Sequence, residues 1–301
     1  MYQFDHILCA TDFSQASLDA IRFASFAVQK AGGSITLLYV DEYEKSPMGY
    51  YGMNERQAAE YRANVETFAV ERFSDEIRVA HLNRRNTNFI VRFGTAYHEI
   101  IGEAEGHNYS AVALATQGIG CASPHLMGRT TERTVRICRA PVITLRPREH
   151  MEIDWRVKTI LCPTDFSEYG NYALPYAISL ARTFKAKLIL LHVTTLTVSN
   201  PEKLIDHFPD PATYHESAKD IVIEKMVGRD IEPENSIVQV VGDHDVDLVV
   251  IGTHGARGLR RVQIGNTTEE IIRRVEVPVL SITHPIHRTV FPRRFQEEYQ
   301  Q

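Results

Sequence analysis

The sequence lacks the patterns that mark most exported, membrane-bound or catalytic proteins. No apolar run approaches the roughly 20 residues of a membrane span, and the first residues, MYQFDH, do not show the basic and then apolar pattern of a signal peptide. The four cysteines form no C-x-x-C pair, so we expect reduced thiols in a core. Motifs of the types G-x-S-x-G, H-E-x-x-H and G-x-x-x-x-G-K-[ST] are also missing.

Charge and ligand-type side chains add further exclusions. There are 33 basic against 38 acidic residues, so the basic excess of a nucleic-acid-binding surface is missing. Asp243, His244, Asp245 and Asp247 could be drawn as a metal cluster, but we interpret them as a solvated loop and predict no metal site. A hydrophobic content of 44% suffices for a packed core. We therefore expect a soluble, cytoplasmic protein without a membrane or nucleic-acid partner.

What the sequence does contain is an internal repeat. Residues 7–14, ILCATDFS, recur at 160–167 as ILCPTDFS, with seven of eight positions identical at an offset of 153. A second block recurs at an offset of 137 and comprises Gly118, Gly128, Thr130, Thr131, Glu132, Arg136, Pro141 and Val142, matched by Gly255, Gly265, Thr267, Thr268, Glu269, Arg273, Pro278 and Val279. We predict two domains, 1–148 and 156–285, and a C-terminal tail, 286–301.

Apolar runs and helix signals alternate within each repeat. In the first repeat we predict strands at 6–10, 34–40, 88–93, 111–115 and 141–145, separated by helices at 17–31, 55–73, 98–105 and 131–139. In the second repeat the corresponding segments are strands at 159–162, 187–193, 247–251 and 278–282, and helices at 173–184, 217–227 and 269–275. This alternation predicts an α/β fold with two tandem, doubly wound parallel sheets.

Two further structural predictions come from the repeat. The drop in offset from 153 to 137 leaves the helix at 95–105 without an evident counterpart, so we predict that the second repeat has lost this helix. The run at 237–241 would then be a strand that does not pair in parallel with 247–251, because a parallel crossover needs about a dozen residues. The duplication also predicts that the two repeats pack on each other as a pseudo-dimer.

A glycine-rich loop in the second repeat is the first candidate binding feature. Gly252-Thr253-His254-Gly255 follows a predicted strand, and nine residues later Gly265-Asn266-Thr267 opens a helix. Glycines let backbone amides approach phosphate oxygens, and the helix start offers free N–H groups. Arg257, in the intervening loop, could add positive charge. The alternative is a tight turn that needs glycine only for its backbone angles, and the glycines alone do not decide between them.

Asp12 and Asp165 follow the first predicted strand of their repeats and supply the second candidate feature. In one interpretation the carboxylate bonds a ribose hydroxyl across the cleft from the glycine loop. In the other it caps the next helix, where Asp and Ser are preferred. Ser14 and Ser167 are also available as caps, so both interpretations can hold. His192 lies in an apolar strand, and we interpret it as a hydrogen-bonded core histidine.

With these motifs, the chain resembles the universal stress protein family over residues 4–147 and 156–284. The family hallmarks are a first strand ending in a Pro-Thr-Asp-like turn, here Pro163-Thr164-Asp165, and a late G-x2-G-x9-G-[ST] loop, here Gly252, Gly255 and Gly265-Asn266. The resemblance implies an adenine-nucleotide alpha hydrolase-like fold and terminal strands, 141–145 and 278–282, that pair antiparallel between the two repeats. In ATP-binding members the nucleotide, with or without Mg²⁺, lies between these loops.

The resemblance also implies roles for single residues. Asp165 would bond the ribose, and Val193 and Ile251 would border the adenine. The phosphates would lie on Gly252, Gly255, Gly265, Asn266 and Thr267.

The first repeat departs further from the family pattern than the second. Ala115 stands in place of the first glycine, Ala10 in place of the proline, and Arg129 follows the last glycine, where it could fill the site. In the second repeat the departure is Asn266, where the family often has Ser or Thr. We therefore expect one nucleotide per chain, bound in the second repeat only.

Three classes of function compete at this point. The leading hypothesis is a stress-response protein that binds ATP and acts through nucleotide-dependent conformation or association, with a homo-oligomer or another protein as partner. The second is a ligand-free interaction or scaffold protein that has kept the fold and lost the site. The third is an enzyme of related fold, such as an adenylating ligase or an electron-transfer flavoprotein subunit. The absence of SGGxDS-like and HIGH-like motifs argues against the ligase. We expect no catalytic residues, although slow ATP hydrolysis is compatible with the motifs.

Overall fold

The computed structural model describes residues 2–42, 53–119, 126–147, 155–214, 216–255 and 265–287. Arg257 and all of the predicted tail beyond His287 lie outside these residues. The first repeat contains β1 (His6–Thr11), α1 (Gln15–Ala31), β2 (Ser34–Asp41), α2 (Glu55–Val79), β3 (Thr87–Phe93), α3 (Ala96–Gly106), β4 (Ala111–Ala115), α4 (Arg129–Ile137) and β5 (Val142–Leu145).

The second repeat follows a similar plan with shorter pieces in its middle. It contains β6 (Thr159–Pro163), α5 (Glu168–Asn171), α6 (Leu174–Phe184), β7 (Lys187–Thr194), α7 (Pro211–Tyr214), β8 (Ile223–Arg229), α8 (Pro233–Asp243), β9 (Leu248–Gly252), α9 (Asn266–Arg274) and β10 (Val279–Ile282). Short 3-10 helices lie at Pro201–His207, Glu216–Asp220 and Pro285–His287. No helix among the described residues combines the length and the apolarity needed to cross a membrane.

All ten described strands join one sheet in the order β3-β2-β1-β4-β5-β10-β9-β6-β7-β8. Each pairing within a repeat is parallel, and β5 and β10 pair antiparallel where the repeats meet, with Ile143 opposite Leu280. The predicted α/β fold of two tandem parallel sheets, packed as a pseudo-dimer, is thereby confirmed. The antiparallel pairing also removes one exposed sheet edge from each repeat.

Helices cover both faces of this sheet, as its apolar strands require. One face buries α1, α6 and the C-terminal half of α2, and the opposite face buries α3, α4, α8 and α9. Aromatic rings join the two repeats on the first face. Phe26 of α1 stacks on Phe184 of α6 with ring centroids 5.6 Å apart, and Tyr2 meets Tyr176 at 4.7 Å. The repeats are therefore held together by a shared core as well as by the sheet.

The predicted loss of the third helix is wrong. Residues 233–243 form α8, the counterpart of α3, and the expected strand at 237–241 does not exist. Four β-branched residues in the run IVQVV favoured a strand in the sequence. In the structure Pro233 occupies the first turn, and the buried positions, Ser236, Ile237 and Val240, share one face of a helix.

The described residues of the second repeat contain no counterpart of the long helix α2. Ser34 of β2 and Lys187 of β7 match at an offset of 153, whereas Ala96 of α3 and Pro233 of α8 match at 137, so the loss falls between these elements. The predicted helix at 217–227 is also wrong, because this segment contains the end of a 3-10 helix and most of strand β8. In the described part of this stretch, short 3-10 helices and α7 stand where the first repeat has α2.

Candidate functional site

The candidate site lies at the carboxyl ends of β6 and β9. In the second repeat the chain starts at β6, adds β7 and β8 on one side, and then crosses to β9 and β10 on the other. The strand order therefore reverses between β6 and β9, where open α/β sheets bind ligands. The first repeat has the same arrangement, with its reversal between β1 and β4.

The turn after β6 fixes the position of Asp165. The hydroxyl of Thr164 accepts the amide of Phe166 at 3.0 Å and donates to Oδ1 of Asn171 at 2.6 Å. Asp165 Oδ1 accepts the amide of Ser167 at 3.0 Å and its hydroxyl at 2.5 Å. Phe166 takes a φ of 64°, a left-handed conformation that non-glycine residues adopt rarely. This network orients Asp165, and Ser167 caps α5 through Gly170 at 3.0 Å.

The glycine loop after β9 comes into contact with this carboxylate. A Cβ atom built on Gly255 would overlap Oδ2 of Asp165, so only glycine lets the backbone lie this close. The two loops that the motifs singled out are thus direct neighbours. Gly252 has a packing reason of its own, because a Cβ there would lie 3.0 Å from the carbonyl oxygen of Tyr169 in α5.

Helix α9 begins beside the same loop. The amide of Gly265 donates to the carbonyl of Thr253 at 2.9 Å, and the hydroxyl of Thr268 donates to the carbonyl of Gly252 at 2.9 Å. No side chain among the described residues caps this helix, whose N-cap is Gly265. The first-turn amides, including those of Asn266 and Thr267, therefore have no acceptor within the helix, and the positive end of the helix dipole faces the loop.

The remaining predicted residues occupy different places around the site. Pro163 ends β6 beside the turn, and Ile251, 6% exposed, precedes Gly252 in β9. Val193 is half-buried in β7, and with Ile251 it belongs to the apolar layer under α8 and α9. Thr267 donates to Oε2 of Glu234 in α8 at 3.5 Å.

His192 faces the other side of β7, as the core interpretation requires. Its ring stacks on Phe166 at 4.0 Å, and its Nδ1 lies 2.9 Å from the carbonyl of Thr164. Two members of the supposed acidic cluster have structural roles. Asp247 Oδ2 accepts the amides of Lys158 and Thr159 at 2.7 and 3.0 Å, and Asp243 is the last residue of α8 rather than part of a loop. The described residues contain no group of three or more His, Cys, Asp or Glu side chains placed to hold a metal ion.

The first repeat has a similar junction, in which Asp12 lies against Gly118 and accepts backbone amides. Asp12 Oδ1 accepts the amide of Ser14 at 3.1 Å, and Oδ2 accepts the amide of Ile119 at 2.6 Å. A Cβ on Gly118 would overlap Oδ2 of Asp12, just as at the second junction. Arg129, expected to fill this site, is exposed at the start of α4.

The motifs did not reveal two residues that shape these junctions. Asn171 holds Thr164 in the second repeat, and Glu76, from the distant helix α2, holds Thr11 in the first. Asn171 lies seven residues after Thr164, so a local search for side chains that bond the turn could have found it. Glu76 is 65 residues from Thr11 in sequence and gave no local signal.

Comparison with known proteins assigns the class of this fold. The model of the universal stress protein family matches residues 3–146 and 156–282, so the chain belongs to this family and carries two copies of its domain. The universal stress protein MJ0577 of Methanocaldococcus jannaschii is 31% identical over 153 residues, which cover 42% of this chain and 94% of that protein.

Two full-length similarities support the tandem arrangement. Universal stress protein Slr1230 of Synechocystis is 22% identical over 307 residues, covering 92% of this chain and 99% of that protein. A universal stress protein of Archaeoglobus fulgidus superposes with a TM-score of 0.69 at 22% identity, covering 94% of this chain and 97% of that one. The latter likeness shows the shared fold of the two-domain chain.

Proposed function

We propose that the second repeat binds one adenine nucleotide, ATP with its Mg²⁺, and that the protein acts in the cytoplasm as a stress-response protein through nucleotide-dependent conformation or association. The observation that carries the proposal is the junction of Asp165 with Gly255 beside the start of α9. A carboxylate that can accept from a ribose hydroxyl lies against backbone that can donate to phosphates. Membership of the family supports the proposal.

The donor set at this junction suits a polyphosphate. The first-turn amides of α9, with Asn266 and Thr267, offer backbone N–H groups at the positive end of a helix dipole. Charge-assisted hydrogen bonds of this kind contribute about 1.5–3 kcal/mol each. Arg257 would add positive charge from the loop before α9. Bound Mg²⁺ would neutralise phosphate charge, and we assign no residue to it.

The ribose and the base of the nucleotide would then contact different sides of the site, one polar and one apolar. Asp165, already oriented by Ser167, accepts a ribose hydroxyl, with Pro163 and Thr164 shaping the turn beneath it. Val193 and Ile251 offer apolar surface for the base. We assign no catalytic residue. In this proposal the nucleotide acts as a ligand that shifts conformation or association, and slow hydrolysis is compatible with that role.

A binding titration with a fluorescent ATP analogue tests this assignment. Gly265→Val changes the N-cap of α9. A Cβ at this position lies 3.3 Å from the carbonyl oxygen of Thr253, so the branched side chain would crowd the start of the helix. It should weaken binding at least about tenfold, the loss of roughly one hydrogen bond to a charged group. The matched control is Gly128→Val at the N-cap of α4, where the Thr116 carbonyl lies 3.5 Å from the added Cβ. This control should bind as the wild type does.

The opposite results would contradict the proposal. Binding that survives Gly265→Val would place the nucleotide elsewhere, and binding lost in Gly128→Val with an intact fold would place it in the first repeat. Undetectable binding in the wild type would favour the second candidate, a ligand-free interaction protein. One observation favours that candidate for the first repeat, where Ala115 stands at the position that Gly252 holds in the second.

A further inference from the structure

Helix α2 carries a buried carboxylate that the proposed function does not use. Glu76 is 7% exposed, and its Oε1 accepts the hydroxyl of Thr11 at 2.6 Å. Its Oε2 is buried without a hydrogen-bond partner among the described residues. A fully ionised carboxylate is strongly disfavoured in such a place, since buried charges require pairing and several hydrogen bonds.

The groups around Glu76 do not compensate an ionised carboxylate fully. From β1 it faces the Cys9 thiol and Thr11, from the turn after β1 it faces Asp12, and on its own helix it is near Arg72. Arg72 is exposed and turned toward Phe13, donating to its carbonyl at 3.0 Å. The pKa of Glu76 is raised to about 7, mainly by burial. The Thr11 hydrogen bond and Arg72 oppose this rise, and Asp12 makes the smallest contribution, in the same direction as burial.

The same carboxylate is tied to the turn that carries Asp12. The Thr11 hydroxyl also accepts the amide of Phe13 at 2.9 Å and lies 3.0 Å from the hydroxyl of Ser17. Phe13 has a φ of 63° and packs on Phe73 of α2 with ring centroids 5.4 Å apart. Helix α2 thus contacts this left-handed turn through Glu76 and Phe73, which are buried, and through Phe68 and Arg72, which are exposed.

Helix α2 packs on the rest of the repeat mainly through its C-terminal half. Its buried residues are Ala69, Phe73, Glu76 and Ile77, whereas no residue from Glu55 to Phe68 is buried. Local openings start where few apolar groups are buried. A change at Glu76 therefore acts on one of the few side chains that hold the helix down.

The second repeat has a neutral group at the corresponding point. Thr164, the counterpart of Thr11, donates its hydroxyl to Oδ1 of the neutral Asn171 side chain rather than to a carboxylate. Among the described residues, this titratable contact therefore occurs in the first repeat, on a helix that has no counterpart in the described part of the second.

We propose that Glu76 is a proton-operated latch, which holds the C-terminal half of α2 on the Asp12 turn while protonated and releases it when ionised. The sign is fixed by the raised folded-state pKa, since the open state exposes a carboxylate with an ordinary pKa near 4.5. The closed state is then fully favoured below that value and loses stability as pH rises toward about 7. Near neutral pH the Glu76 carboxyl of the closed state is about half ionised, so the opening constant changes most steeply with pH below this point.

Hydrogen exchange of the intact protein tests the latch. Exchange of amides in residues 69–80, corrected for the intrinsic effect of pH, should report an opening constant about tenfold larger at pH 8 than at pH 6, as expected for a pKa raised to about 7. Glu76→Gln keeps a neutral acceptor for Thr11 and should abolish this pH dependence. Glu71→Gln removes an exposed carboxylate of the same helix and should leave it unchanged.

Three results would overturn the proposal. The first is an opening constant of the wild type that does not change with pH. The second is a Glu76→Gln variant whose opening constant keeps the pH dependence of the wild type. The third is a Glu71→Gln variant whose opening constant has lost that dependence. Because Glu76→Gln could fold poorly, a second measurement uses the wild type alone. Infrared difference spectra should show one protonated carboxyl group titrating near neutral pH, and a spectrum without such a group would contradict the latch.

Discussion

In the first repeat the Asp12 carboxylate accepts an amide from its own glycine loop, and a helix from outside the turn, α2, clamps that turn through Glu76. In the second repeat Gly255 lies against the Asp165 carboxylate as Gly118 lies against Asp12, but the turn is held locally by Asn171, and the described residues of this repeat contain no counterpart of α2. The two junctions therefore share their backbone geometry and differ in what supports them.

This difference shows how a duplicated domain can divide its tasks. The strand ends, the left-handed Phe and the Asp–Gly contact are common to both copies, so they are properties of the fold. The support of the turn and the residues at the loop start, Ala115 against Gly252, have diverged. We expect the first copy to act as a structural and proton-sensitive unit and the second to carry the ligand.

Among the stability predictions, the larger change in the free energy of unfolding is expected when the hydroxyl of Thr11 or Thr164 is removed. Thr11→Val removes the hydrogen bond that Thr11 donates to the buried Glu76 and should lower the free energy of unfolding by about 1–3 kcal/mol. Thr164→Val, where Asn171 is only half-buried and water can replace the hydroxyl, should lower it by about 0.5–1.5 kcal/mol. Urea unfolding measures both, and an equal or reversed pair of values would remove the distinction between the two supports.

A smaller effect is expected at the junction of β5 and β10. The hydroxyl of Ser281 is buried without a partner among the described residues, so Ser281→Ala should raise the free energy of unfolding by about 1 kcal/mol. Thr144, the counterpart in β5, donates to the carbonyl of Val279 at 3.4 Å, and Thr144→Ala should be destabilising. Thermal unfolding compares the two variants, and a destabilised Ser281→Ala would show that its hydroxyl has a partner after all.

The sequence predicted the fold well where the two copies support each other. The repeated ILCxTDFS segments located β1 and β6 with their turns, and the later block located α4, α9 and the two strands that join the repeats. It failed at α8, because β-branched residues outweighed the Pro233 helix start, and at 217–227, where helix α2 has no second copy to compare.

The candidate site was predictable in its parts but not in its contacts. Asp165, Gly255 and Gly265 stood out by motif, and the reversal of strand order implied that they lie at one edge of the sheet. That Gly255 lies directly against the Asp165 carboxylate depends on tertiary packing. Glu76 was hidden because it lies in a helix rich in charged residues, where a buried carboxylate gives no periodic signal.

Calorimetric titration of the intact chain with ATP and Mg²⁺ tests the central claim, that only the second repeat binds nucleotide. We predict one ATP per chain, lost in Gly255→Ala, whose Cβ overlaps Asp165, and retained in Gly118→Ala, whose Cβ overlaps Asp12. The pair is matched, because the same added methyl group meets the same kind of carboxylate in each repeat. Two ATP molecules per chain, or binding that is kept in Gly255→Ala and lost in Gly118→Ala, would contradict the account.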